Sequence, residues 1–239
     1  MIVVSSQAVY DQAIKSKRHF GNEVVIENSS DFITVHTDVT VGKNGRCKTT
    51  EAHPVFIKAK ENGIVAADGK STVQGFNNAN IIAKGNCTVS LYDSAFGNCY
   101  DHCHISLKGT SKISADGNCT VMAFDESSVS ASGSSKVYSN ENATARGTDK
   151  TRLTGRGEST LIGKKNCTIM ASENCIVYAS ENCKVQAADN CLVVAKPYSK
   201  IGAQDNCLVL SNGNPDISIS GQCEHVNLDN VNDKNIMGT

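Results

Sequence analysis

The residues best equipped for chemistry in this sequence are its cysteines, eleven in 239 residues. Three of them, Cys175, Cys183 and Cys191, recur eight residues apart in SENCIVYASENCKVQAADNCLVVA, each preceded by Asn and followed two places on by Val. Thiols at a regular spacing can ligate a metal, cross-link, or fill a core as small and weakly polar groups. A second candidate is YDHCHISL, where His102 and His104 flank Cys103. The triplet NCT at Asn86, Asn118 and Asn166 also matches an N-glycosylation acceptor.

Which chemistry applies depends on the elements that carry these residues. Stepping by eight from Val177 in either direction meets Val, Ile or Leu at every position from Ile57 to Ile217 except Gly97 and Ala145. Two places before each marker sits a small residue (Ser71, Ala79, Cys87, Ser111, Cys175), and two places after it another (Ala83, Ala115, Gly163, Ala179). Spacing by two places small, branched and small residues on one face of a short strand. The triplets between, such as SEN, ADN and DGN, suit the left-handed backbone of a tight corner. Strands this short fold only when stacked coils bury their inner faces on one another. The expected fold is all-β: a β-solenoid, or β-helix, of eight-residue strand-plus-corner units.

The outward positions give the number of strands per coil. Thr160/Ile162, Ile176/Tyr178, Leu192/Val194 and Leu208/Leu210 are largely apolar, whereas the intervening Arg152/Thr154, Thr168/Met170, Lys184/Gln186 and Lys200/Gly202 are mostly polar or basic. That alternation has a period of 16, which implies two strands per coil and two unlike faces. A three-strand coil of 24 residues would scatter the apolar residues over all faces and ranks second. Residues 1–50 read as a small α/β N-terminal cap: a strand in IVVSS, an amphipathic helix starting near Ser6 with Val9, Ile14 and Tyr10 on its apolar face, then strands in NEVVIEN and FITVHTDVTV. Residues 51–223 form the solenoid. Residues 224–239 lose the frame and read as a C-terminal cap or tail.

On this scaffold ten of the cysteines, Cys47 to Cys223, take the small inward position before the marker, and Cys99 takes the one after it. Ser and Ala alternate with them there, so buried, reduced thiols are the leading expectation. Neighbours one strand spacing apart, ~4.8 Å, exceed the Cβ separation of about 3.8 Å that a disulfide prefers. A linear ladder does not offer tetrahedral zinc ligation either. His104 points outward and His102 lies at a corner, so they are expected to be solvated. No catalytic, metal or cofactor site is expected, and the NCT triplets read as corner residues.

A net charge of −1 argues against nucleic acid as a partner, and no run approaches the roughly 20 apolar residues of a membrane helix. With reduced thiols and no basic, apolar leader at the start, a cytoplasmic location is expected, either host cytosol or virion. The octads GNCTV, GNCTVMA, ENCIVYA and DNCLVVA resemble the G-N-x-x-V-x-A repeats of uncharacterised bacterial and bacteriophage proteins, over roughly residues 55–223. The resemblance implies stacked short β-units and no particular reaction. The fold also resembles that of bactofilins, cytoskeletal solenoids that polymerise through their ends.

The feature left for function is the apolar ladder Ile162, Ile176, Tyr178, Leu192, Val194, Leu208 and Leu210, an outward patch where solvent should be. The leading expectation is a non-enzymatic structural or interaction protein, a rigid solenoid that self-associates as a homo-oligomer or docks a protein partner through this face. The competing explanation is that the tail, with Val226, Leu228, Val231 and Ile236, folds back over it. The alternative class is a module that binds a glycan or small molecule in a phage virion or anti-defence system. An enzyme with a groove along the solenoid is the weakest reading, because no carboxylate cluster recurs at matching outward positions.

Overall fold

A computed structural model describes residues 1–17, 22–52 and 54–230. The protein is nearly all β, with one α-helix at the N-terminus among the described residues. It divides into two compact units, Met1–Val129 and Ser130–Thr239. Each is a two-sheet β-solenoid in which, from Val24–Ile26 onward, consecutive strands alternate between sheets and pair in parallel with the strand one coil away. In the first unit one sheet includes Thr72–Gly75, Thr88–Leu91 and His104–Leu107, and the other includes Asn80–Ala83, Phe96–Cys99 and Lys112–Ala115. In the second unit sheet A carries Arg152–Gly155, Thr168–Ala171, Lys184–Ala187, Lys200–Ala203 and Asp216–Ile219. Its sheet B carries Thr160–Gly163, Ile176–Ala179, Leu192–Ala195, Leu208–Ser211 and Glu224–Asn227.

The register explains the period. Val89 pairs with Ile105 and Val177 with Val193, each 16 residues on, so marker stacks on marker and small residue on small residue. From Ile57 to Val209 the inner Val, Ile and Leu side chains are almost fully buried, as are the small residues that flank them. Two leucines take small positions, Leu91 and Leu107, and the coil before Leu91 makes room with a glycine: a Cβ on Gly75 would lie 2.9 Å from the Leu91 side chain. Gly97, one of the two breaks in the marker column, has a related cause. A Cβ there would sit 2.0 Å from the carbonyl oxygen of Ile81 on the adjacent strand.

The corners are tighter than the triplets suggest. The left-handed residue is the middle one of SEN, ADN and QDN, at Glu173 (φ 67°), Asp189 (φ 62°) and Asp205 (φ 68°), rather than the Asn that follows. An L-residue in that region costs on the order of 1–2 kcal/mol. A carboxylate hydrogen bond offsets it: Glu173 accepts from the amide of Gly157 at 2.8 Å, Asp189 from that of Glu173 at 2.9 Å and Asp205 from that of Asp189 at 3.3 Å. The Asn residues stack into a ladder of their own, Asn190 donating to Asn174 and Asn206 to Asn190 at 3.4 Å.

The first coils do not keep the 16-residue length. Fourteen residues separate Ile33 from its partner Cys47, and eighteen separate Cys47 from Val65. Cys47 therefore occupies the central marker position and not the small position expected of it, because its coil holds two extra residues. Strands within residues 1–50 pair into the same two sheets as the later ones. The helix Gln7–Lys15 starts after an extended Ser6 and buries Tyr10 and Ala13; Val9, expected on its apolar face, is 42% exposed. The helix covers the end of one sheet by imitating a strand. The Gln7 amide accepts from Thr34 N at 2.7 Å and donates to Thr34 O at 3.2 Å, while the Tyr10 hydroxyl accepts from His36 N at 2.9 Å.

At the other end the frame does not stop at Cys223. Glu224–Asn227 pairs with Leu208–Ser211 in the same 16-residue register and leads into a short 3-10 turn at Leu228–Asn230. Val231 and Ile236 lie outside the described residues.

Gly97 supplies a stringent test of this packing. Gly97→Val restores the repeat consensus, yet it should lower stability by at least ~2 kcal/mol, read as a fall in the urea midpoint. Unchanged or higher stability would contradict the close approach of Ile81.

Candidate functional site

All eleven cysteines are free thiols, ten of them buried. The reason Cys, Ser and Thr interchange before the marker is a hydrogen bond as well as size. Cys87, Cys167 and Cys175 donate to the corner carbonyl three residues earlier, that of Lys84, Lys164 and Ser172, at 3.0–3.1 Å. Ser71, Thr151 and Ser199 make the same bond through their hydroxyls. Ser111 and Ser127 stand apart, since their buried hydroxyls have no partner.

The buried thiols titrate as interacting neighbours where they stack. Burial pushes the Cys47 and Cys207 pKa values up. Within a column, one thiol gains at the expense of its neighbours. Cys103 is favoured as an anion because Cys119, Cys87 and Cys99 would donate to it, and their own pKa values rise in return. Cys175 is lowered to about 6 by the Cys191 thiol, which together with the Ser159 hydroxyl outweighs its burial, while Cys191 is raised. No group of three or more His, Cys, Asp or Glu among the described residues is arranged to hold a metal. His104 is exposed on its strand, and His102 sits at a corner with Nε2 3.4 Å from the Asn118 amide. Asn86, Asn118 and Asn166 are corner residues.

The seven ladder residues come together in two straight columns on the outer face of sheet B. Ile162, Tyr178, Val194 and Leu210 pair rung on rung in one, and Ile176, Leu192 and Leu208 in the other. Tyr178 is 43% exposed; the other six are half-buried by one another. Val226 extends the first column by one rung, in register with Leu210, and is 38% exposed. It thus adds to the patch instead of covering it. Counting 16 onward from Leu210 would have found it, but Glu224 and His225 hide the repeat. A groove of about 270 Å3 runs along the face between Ile162, Tyr178 and Val194 on one side and Lys164, Ser180 and Lys196 on the other.

Sheet A of the same unit is different. Lys184 and Lys200 project from it, the latter 3.8 Å from Asp216. A shallow cavity of about 480 Å3 lies over Met170, Gln186 and Gly202, bordered by Thr154, Arg156 and Gln204. It opens where Gly202 removes a side chain from the outward column, a signal that a search for charged clusters passes over.

No protein-family model, no curated protein and no solved structure matches the chain. No helix among the described residues is long and apolar enough to cross a membrane.

Two measurements check the thiol assignment. Without reductant, a thiol-reactive dye should label eleven groups in denatured protein, and in native protein one far ahead of the rest, the half-buried Cys223. Ser111→Ala and Ser127→Ala should be neutral or slightly stabilising, whereas Ser199→Ala should cost about 1 kcal/mol in a denaturant titration, because only Ser199 loses a bond.

Proposed function

We propose that the protein is a non-enzymatic structural or interaction module that self-associates through the outer face of sheet B. The observation that carries this reading is the unbroken apolar column Ile162–Tyr178–Val194–Leu210–Val226, held in register by parallel pairing. Outward residues on a one-layer sheet have no structural need to be apolar, since the coil buries its own markers inside. Sheet A shows the unforced composition, with Lys, Arg, Thr and Gln at the equivalent places. A contiguous patch of this kind on a small protein marks an interaction surface, and a closed homo-oligomer is its simplest occupant. The resemblance of the octads to bacterial and bacteriophage repeats supports a scaffold role and supplies no reaction.

A second reading rests on the cavity of sheet A. Arg156, Gln186, Gln204 and Thr154 line a shallow, partly polar recess that suits a small polar ligand or a glycan. The mixed lining offers hydrogen bonds, but no acid–base pair for chemistry.

Light scattering of the purified protein tests the main reading. The native chain should have a mass above that of one copy, 25.3 kDa, and Leu192→Lys with Leu208→Lys should return it to that value. A native protein that is monomeric at every concentration, with or without the substitutions, would remove the proposal.

A further inference from the structure

The apolar stripe does not stand alone; its two long edges differ in charge, one acidic and the other with lysines in excess. Each strand of sheet B enters from a corner and leaves into another. The entry corners bear Glu158, Glu173, Asp189 and Asp205, all exposed, with no Lys or Arg among the corner residues beside them at 157–158, 173–174, 189–190 and 205–206. The exit side bears Lys164 and Lys196 in the outward column that continues the groove. The exposed Glu181 stands at the corner between them, so lysines outnumber carboxylates there without excluding them. Among the described residues neither lysine makes an ion pair with its own chain. Lys165 on the same edge is already engaged, 3.2 Å from Asp149.

We infer that the partner on this face is a second copy of the chain, packed face to face and pointing in the same direction, with the two-fold axis parallel to the stacking of the strands. The inference rests on the self-association proposed above and specifies its partner and polarity. A two-fold axis along the stacking direction keeps each rung level with its own copy and exchanges the two edges. Lys164 then faces Glu158 of the second copy, and Lys196 faces its Asp189. On the rung between, Glu181 faces Glu173, so two attractive contacts stand against one repulsive one. Along the stripe the Tyr178 column meets the Ile176 column, so Val194 lies over Leu192 and Leu210 over Leu208. With the axis turned parallel to the strands, each edge would meet itself, lysine on lysine and carboxylate on carboxylate. Like charges brought together at a closing interface disfavour that docking.

Size supports including the edges. Five rungs ~4.8 Å apart and the four residues of each strand at ~3.3 Å each span on the order of 300 Å2. A specific interface needs about 600 Å2 from each partner. The apolar stripe alone falls short of that, and the charged columns on either side make up the difference. One chain carries both halves of the complement, which favours a second copy over an unrelated partner.

The experiment is a zero-length carbodiimide cross-link on an equal mixture of isotope-labelled and unlabelled protein, read by mass spectrometry, with an amine-to-amine reagent in parallel. Mixed-isotope links should join Lys164 or Lys196 to Glu158, Glu173, Asp189 or Asp205. The exposed double variant Lys164→Glu with Lys196→Glu should weaken dimerisation by roughly tenfold or more at low salt, and most of that loss should disappear at high salt. A dimer whose inter-copy links are lysine to lysine with none to carboxylates, or one indifferent to the double variant, overturns the same-direction arrangement and leaves self-association standing. A protein that stays monomeric overturns both.

Discussion

The structure depends on how little room lies between its two sheets. A coil of 16 residues closes around one branched side chain per strand, and everything beside that side chain must be small or must give way. Close-packed interiors tolerate neither gaps nor excess volume, so the markers are Val, Ile and Leu with Ala, Gly, Ser and Cys on either side. The exceptions show the same limit. Leu91 is accepted because Gly75 yields its Cβ, and Gly97 stands where Ile81 leaves no room for one. The cysteines belong to this constraint. A thiol is about the largest group that fits beside the corner while still donating to its carbonyl.

Parallel stacking in strict register places each residue directly over its counterpart, which turns single side chains into columns. Columns of apolar groups reinforce one another, whereas columns of like charge would repel. The acidic corners avoid this by directing each carboxylate at the amide of the neighbouring coil. One hydrogen bond thereby steadies a left-handed residue, occupies a backbone donor that no strand would satisfy, and holds a negative charge on one edge of sheet B.

Much of this was legible in the sequence. The period of eight, its doubling to 16 and the unlike faces follow from residues 57–217, because every coil there has the same length. The ladder from Ile162 to Leu210 could be placed for the same reason. What escaped notice arose where length or composition changes. Cys47 sits in an 18-residue coil, so counting in eights put the marker two residues away. Val226 follows Glu224 and His225, which carry the backbone register without the composition. The strand mimicry of Gln7 and Tyr10 joins residues 27 and 26 positions apart through side chains whose target has no sequence mark. Glu173 takes the left-handed position ahead of Asn174 because its carboxylate reaches the coil below, a contact outside local propensity.

The unequal faces also set how such a chain can change in length. Removing one octad from the second unit would leave every marker inside, since the small–branched–small pattern is common to both sheets. Each later strand would, however, move to the opposite sheet, carrying Lys200 into the leucine column and Leu208 into the lysine column. The interior counts in eights, while the surface counts in sixteens. Growth or shrinkage of this solenoid by duplication and deletion therefore proceeds in whole coils wherever the distinction between its faces is to survive.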